Sequence, residues 1–505
     1  MTGTESWKTK TLIMRGGTRL DLEPVYRDAA FPGSLVDSKN FESGQAGGYK
    51  RILGYDFYDS TQVPGTGRVL GCFVYNNGVL ACRGASIYFS TGSGWGSDIA
   101  PTARTGASEY RCAKYRWTTG NFITLVDGVN APVRFNGTTG TNLAAAPVGA
   151  TCVIEYKSYL CFGKGGTLTI SDPEDDTAYP NAYPIGDEIT GFGKWRGTLF
   201  IFCKNSIHSL SGEDPATFVR SPVTQNIGCT LPDTIQDVGG NLIFLASDGL
   251  RTIQSTLNST EVAIDNLSNP IQQYVDEVVP LYHTAGRVCS AVVNGKSQYR
   301  LFFSQSAVAA TDTPSINACM KPGAQGVEWE FFKLEGIQAS CADQGVVDSV
   351  DDLIVHGDYS GYVYQQEEGN NFAGSDIDAY IFLPYSVFDD PAVRKTIYKL
   401  RLYAEVDGGA IAEITAQVYI DDDDAIVIQP DPIDMTTNVF PSTAVYGFSG
   451  STYGVAVYGQ RASANYRTQL IGSGYNIALK IYSNNQLPAY AIKTLIIEYG
   501  LGARQ

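Results

Sequence analysis

The sequence predicts an all-β protein: a β-propeller of five to seven blades followed by a C-terminal antiparallel β-sandwich. Three observations predict it. A unit of turn, apolar strand, short break and second apolar strand recurs five times, with its second turn residue at 78, 120, 158, 197 and 240. The resulting steps of 42, 38, 39 and 43 residues fit propeller blades, whereas helical repeats of that length would carry a 3.6-residue apolar period. Composition agrees, because Gly 54 and Tyr 31 against Met 4 favours strands and tight turns over helices. Finally, the texture changes near residue 375, where strands lengthen and alternate polar with apolar residues.

In chain order, residues 1–66 read as an irregular leader rich in Gly, Pro and Asp, with short pieces such as TLIMR and YKRILGYDFYD. Residues 67–374 read as the propeller. Its repeats open at Asn77-Gly78, Thr119-Gly120, Lys157-Ser158, Arg196-Gly197 and Gly239-Gly240, each before an apolar strand such as NFITLV or TLFIFC. Residues 269–285 place Ile271, Val275, Val278 and Tyr282 at helical spacing, which predicts one helix packed on the propeller. Looser groups, VCSAVVNGKSQYRLFFSQ with VEWEFFKLEG and then DLIVHGDYSGYVYQQEEG, stand where a sixth and seventh blade belong. The connection 304–326 between them reads as an exposed polar loop. Residues 375–505 form the sandwich, with strands TIYKLRLYAEV, AEITAQVYI, YNIALKIYS and AIKTLIIEYG and a Ser, Thr, Gly and Tyr-rich excursion over 430–466.

Charge bounds the function. Lys plus Arg number 36 against 52 Asp plus Glu, and the net charge of −16 is the wrong sign for a groove that grips phosphates. Residues 67–374 hold 30 of those acids and 19 of those bases, so most of the excess belongs to the repeat region. The N-terminus lacks a signal-peptide core and no segment approaches membrane-spanning length, which predicts assembly in a cytoplasm without membrane insertion. Ten scattered cysteines with no C-x-x-C pair predict free buried thiols, not a zinc or disulfide framework.

Nothing in the residue pattern marks an enzyme. His208, His283 and His356 are the three histidines, and none sits at metal-ligand spacing; His208 alternates within a strand. Glycan-cleaving propellers repeat an S-x-D-x-G-x-T-W turn, of which Ser247-Asp248-Gly249 is one isolated fragment. The acidic runs 172–176 and 421–424 lack the D-x-D-x-D-G spacing that wraps calcium, so they read as solvated hairpin tips. No catalytic, cofactor-binding or metal residue is expected, and no cofactor.

The segment LVDSKNFESGQ followed by Gly47-Gly48-Tyr49-Lys50-Arg51-Ile52-Leu53-Gly54-Tyr55 and DFYD resembles an N-terminal segment of virion structural proteins of tailed bacteriophages, which precedes a propeller. VFDDPAVRKTIYKLRLYAEV and the terminal LIGSGYNIALKIYSNNQLPAYAIKTLIIEYGLGARQ are similar to the C-terminal sandwich of the same proteins. The closest functional group is the nozzle, or tail-hub and tail tubular, protein of short-tailed phages. That resemblance implies a hexameric ring in the virion tail below an adaptor protein, bearing tail fibres or a needle, through which DNA passes transiently during ejection. Gly47, Gly48, Tyr49, Arg51, Gly54 and Tyr55 are then a structural or docking motif, with the two tyrosines packed against the propeller. Loops bearing Gly163, Gly165 and Gly166, and Asp172, Glu174, Asp175 and Asp176, are the candidate gate of the conduit. Two other readings stand beside it: another virion component, such as a fibre adaptor or receptor-binding module, and a propeller enzyme acting on glycans.

The cysteine pattern has a direct check. Protein purified from a reducing cytoplasm and denatured without reductant should titrate close to ten thiols; six or fewer would require disulfides.

Overall fold

The computed structural model describes all residues except 1–6, 24–27, 259–265, 285, 324–325, 348–350, 389, 408–411, 424–428, 436–461 and 505. Strand takes 52% of the chain and helix 8%, and the class is all-β. The chain divides into two compact units, and both are discontinuous. One is residues 57–315 with 336–366; the other joins 1–56, 316–335 and 367–505. This replaces the three consecutive segments 1–66, 67–374 and 375–505 expected from the sequence.

The first unit is the propeller. Its blades open with Val69–Tyr75, Arg111–Trp117, Cys152–Tyr156, Ile189–Trp195, Gln236–Val238, Arg287–Val293 and Cys341–Val347. Each opening strand packs on the next in that order, and the seventh packs on the first, so among the described residues seven inner strands close a ring. The five sequence turns fall between the first and second strands of blades one to five. Several carry the left-handed backbone that two-residue hairpins need: Lys157 and Ser158 at φ 50° and 68°, Arg196 and Gly197 at 48° and 75°, Gly239 and Gly240 at 59° and 78°. Second strands such as Gly78–Arg83 and Thr198–Cys203 are buried almost throughout, because each lies mid-sheet with a neighbouring blade on either face. The helix forms as Gln272–His283, with Val275, Val278 and Tyr282 buried and the Tyr282 ring 6.0 Å from Phe303 of blade six.

The second unit is the sandwich. One sheet runs in the order Phe41–Ser43, Tyr49–Arg51, Tyr490–Arg504, Val393–Val406 and Ala462–Gly474, with Lys8–Ile13 also paired to Tyr490–Arg504. The other runs Asp37–Lys39, Ile377–Phe382, Ile477–Asn485, Thr415–Ile420 and Ile433–Asp434. Leu12, Ile397, Leu400, Val418, Leu479 and Ile497 meet between them. The stretch 1–56 is therefore no irregular leader: its strands complete both sheets. Residues 314–323 are strand and not the exposed loop expected there, and 316–335 belong to this unit because residues 16–43 bind them. The Thr18 amide donates to Phe331 O at 2.8 Å, the Asn40 amide to Lys333 O at 3.0 Å, and Lys39 pairs with Glu335 at 2.6 Å. The excursion expected over 430–466 lies mostly outside the described residues.

The GGY segment is built into this unit. The Gly44 amide donates to Gly48 O at 2.8 Å across the turn, and Gly48 stands at φ +79° with a Cβ position only 2.3 Å from Ile492 O, so a side chain would collide with backbone. Tyr49 is fully buried; its hydroxyl donates to Gly33 O at 2.7 Å and accepts the Gly17 amide at 3.0 Å, and its ring meets Phe332 edge to face. Burial pushes that phenol well above its ordinary pKa. Arg51 is also fully buried, donating to Asn485 Oδ1 at 2.9 Å and to Leu487 O, with burial drawing its guanidinium below the usual value. Gly54 donates to Gly369 O at 3.0 Å, and Tyr55 stacks on Phe372 at 4.9 Å. Tyr49 and Tyr55 were expected against the propeller; these partners are all residues of the sandwich unit.

Tyr49→Phe should cost about 1–3 kcal/mol, since it strands a buried amide and carbonyl. Tyr49→Ser should cost about 3–5 kcal/mol by adding a cavity. Denaturant unfolding followed by far-ultraviolet circular dichroism reads both, and unchanged stability would point to a docking role for the segment instead.

Candidate functional site

Charged side chains converge on the propeller axis. Arg111 opens the inner strand of blade two, Arg287 that of blade six, and Asp233 sits in a one-turn 3-10 helix, Pro232–Thr234, ahead of blade five. Gly191 of blade four lets that turn approach, since a Cβ there would lie 2.7 Å from Ile235 Cδ1 and 2.9 Å from Pro232 Cβ. Arg111 Nε donates to Asp233 Oδ1 at 2.7 Å and its NH1 to Thr151 O at 3.0 Å. Arg287 NH2 donates to Asp233 Oδ2 at 2.9 Å, and both arginines reach Glu109, Arg111 at 3.1 Å. Four charges thus tie blade two to blades five and six across the axis.

Further braces complete the bore. Lys114 of blade two pairs with Asp343 of blade seven and donates to Gln344 O at 3.1 Å, while Asp343 accepts the Val74 amide of blade one at 2.7 Å. Gln344 Nε2 donates to Gln236 Oε1 at 3.0 Å, and Gln236 Nε2 to Ser290 O at 3.2 Å, linking blades seven, five and six. A cavity of about 170 Å³ remains, lined by Arg111, Asp233, Gln236, Arg287, Cys341 and Asp343 among others. Drug-sized ligands occupy about 300–1,000 Å³, so this space suits water or a very small polar molecule.

The electrostatics hold this cluster in its charged form. Burial alone would raise the Glu109 carboxyl, but Arg111 and Arg287 outweigh it and hold it at about 2. Burial would likewise depress both guanidiniums, yet Asp233 and Glu109 hold them above their ordinary values. A glycosidase needs one carboxyl kept protonated near neutral pH, and Glu109 is driven the other way. Inner-strand charges escaped the sequence reading; their signal was the polar alternation of RCAKYRW beside wholly apolar second strands.

The histidines have structural partners. Ser206 Oγ donates to Asp187 Oδ2 at 2.9 Å and lies 3.2 Å from His208 Nε2. A serine already donating to a carboxylate leaves His208 Nε2 as the donor to it, and the carboxylate does not orient the ring, so the order of a nucleophilic triad is broken. His356 is buried and stacked on Tyr364 at 5.0 Å, and burial lowers its pKa to about 3; His283 meets Thr230 at 3.0 Å. Asp421 Oδ1 accepts the Tyr475 and Asn476 amides at 2.6 and 3.2 Å, so that acid of the second run caps a turn. Among the described residues no group of three or more His, Cys, Asp or Glu is placed to hold a metal ion, and no helix is long and apolar enough to cross a membrane.

The two candidate gate stretches are not brought together. Gly163 lies within the second strand of blade three, and Gly165 and Gly166 turn that strand into the third. Asp172, Glu174, Asp175 and Asp176 follow the third strand, and antiparallel strands place successive turns at alternate ends of a blade. The Glu174 amide accordingly donates to Ser158 O at 2.8 Å, at the end opposite Gly165. Glu174 accepts the Thr118 amide at 3.2 Å, and Asp176, buried, pairs with Arg134 at 2.5 Å. Glu174 and Asp176 thus hold blade three to blade two.

No family model matches the chain, and no curated protein does. Among solved structures it is similar to the computationally designed Ika8 protein, at 9% identity and TM-score 0.35 over 61% of this chain and 99% of that one. It is similar to the CNH domain of AfRom2, at 11% identity and TM-score 0.36 over 64% of this chain and 100% of that domain. PorZ, a surface component of the type-IX secretion system of Porphyromonas gingivalis, aligns at 11% identity and TM-score 0.36 over 64% of this chain and 42% of its own.

Glu109→Gln should lower propeller stability by roughly 1–3 kcal/mol at neutral pH, because Arg287 and Arg111 lose a half-buried charged partner. A carboxyl whose folded pKa is depressed contributes above its unfolded value of 4.5 and stops contributing as pH falls through about 2. The gap between wild type and variant should therefore narrow from pH 4.5 toward pH 2; denaturant unfolding across that range tests it, and a constant gap would contradict the brace.

Proposed function

We propose that this chain is a structural protein of a short-tailed phage tail, the nozzle, which assembles as a ring below the adaptor and conducts DNA without holding it. The observation that carries the reading is one strand pairing. The two stretches that resemble phage tail proteins lie at opposite ends of the sequence, yet Tyr49 pairs with Ile492 and Lys50 with Ala491 as neighbouring strands of one sheet. A shared architectural element, and not two coincidental sequence matches, accounts for that pairing most simply.

Charge supports the same role. A net −16 repels phosphates, so a genome would slide past without lingering. The axial braces add a constraint on where it would slide. A bore crossed by Glu109, Arg111, Asp233 and Arg287 is far too narrow for a duplex, so the conduit lies between copies in the ring and not through a propeller. A propeller that presents few open strand edges suits close packing of that kind. Hexameric order, the adaptor and the fibre or needle partners follow from the resemblance.

Electron microscopy of the purified protein and of intact particles tests the proposal. The expected result is a ring with a central, acid-lined channel bounded by several copies, together with negligible duplex binding at physiological salt. A basic channel, or a position outside the DNA path, would overturn it in favour of a fibre adaptor or receptor-binding module.

A further inference from the structure

We propose that Cys72 and Cys341 are a latent disulfide pair, whose oxidation by a small-molecule disulfide locks the seam where the first and seventh blades meet. The inference is independent of the tail role. All ten cysteines are free thiols, and these two stand on adjacent inner strands with their sulfurs 3.5 Å apart although 269 residues separate them in sequence. A disulfide requires about 2.05 Å, and sulfurs already in contact need only side-chain rotation and a small strand adjustment to reach it.

The surroundings distinguish the two sulfurs. Cys72 is wholly buried, while Cys341 retains 8% exposure and lines the axial cavity, so a small oxidant meets Cys341 first. Burial disfavours its thiolate, but the Cys72 hydrogen bond and the Arg68 cation outweigh it and bring Cys341 below the ordinary thiol value. Elsewhere burial prevails: Cys112, Cys152 and Cys229 are pushed up to about 12 and Cys203 to about 11. Cys112, Cys152 and Cys289 line the same cavity and Cys112 is more exposed, so what sets Cys341 apart is its thiolate character together with the Cys72 sulfur in contact with it.

The chemistry balances with a neutral dialkyl disulfide as oxidant. The Cys341 thiolate attacks one sulfur of the reagent, whose S–S bond breaks and releases one thiolate carrying the bonding pair. Cys72 then loses its proton and attacks Cys341 Sγ, expelling the second reagent thiolate. Two protein thiols have given up two electrons and two protons, and the reagent has become two thiols.

The seam is where such a bond matters. It is otherwise held without covalent help by the Val69 amide on Asp358 O at 3.0 Å, Val63 on Gly361 O at 2.9 Å, Ser340 Oγ on Val69 O at 2.7 Å and Arg83 on Ser360 O at 3.0 Å. A cross-link closing so long a loop restricts the opened state strongly.

The test treats the full chain with hydroxyethyl disulfide in excess, then counts thiols in denaturant and maps peptides by mass spectrometry. The expected count falls from ten to eight, with one linked peptide pair containing Cys72 and Cys341, reversed by dithiothreitol. The melting midpoint should rise by roughly 5–10 °C. Cys72→Ser and Cys341→Ser should each abolish the link, and circular dichroism reports whether they fold; should either misfold, the wild-type peptide map alone decides. Ten thiols retained after days of exposure, a lasting mixed disulfide on Cys341, or linkage through another cysteine would each overturn the proposal.

Discussion

Closure of the propeller ring is the constraint on which that unit depends. Each blade buries both faces only when it has a neighbour on either side, so a ring open at one place would expose two faces at once. The seam is joined by the two ends of the same unit: the Tyr58 amide donates to Val363 O at 3.0 Å, and Val63 and Val69 follow the same path. Behind those bonds lies a shared core of Val63, Val69, Cys72 and Val74 from one end with Cys341, Val355 and Val363 from the other. The ends are therefore not appended to a finished ring but are its final contact.

The axial charges depend on that closure. Asp233 is satisfied by arginines from blades two and six, and Asp343 by a lysine from blade two and an amide from blade one, so each carboxylate draws its partners from other blades. Once the ring is closed, the same pairs fix blade positions across the bore and leave little room there. This geometry makes the propeller a braced block.

Much of the propeller was legible because second strands sit mid-sheet and read as apolar runs after paired left-handed turns, as Thr198–Cys203 does after Arg196-Gly197. The blade count stayed open in the sequence because the sixth and seventh strand groups are looser and the connection 304–326 between them reads as a loop, although Pro314–Gly323 is strand. The helix at Gln272–His283 was legible from the spacing of Ile271, Val275, Val278 and Tyr282. Long-range membership was not. Phe331 and Phe332 read as blade residues, and nothing local reveals that Thr18 and Tyr49 bind them. For the same reason the axial site was invisible: Glu109, Asp233 and Arg287 are ordinary surface charges until the ring brings them together. The placing of the two candidate gate loops was equally hidden, since only the strand order of blade three puts Gly165 and Glu174 at its opposite ends.

Hydrogen–deuterium exchange at the seam tests closure most directly. The amides of Tyr58, Val63 and Val69 should be protected to the same degree as those of mid-sheet strands such as Leu199 and Ile201, because opening any of them requires opening the ring. Rapid exchange at the three seam amides, with the blade strands still protected, would show that the ring is held some other way.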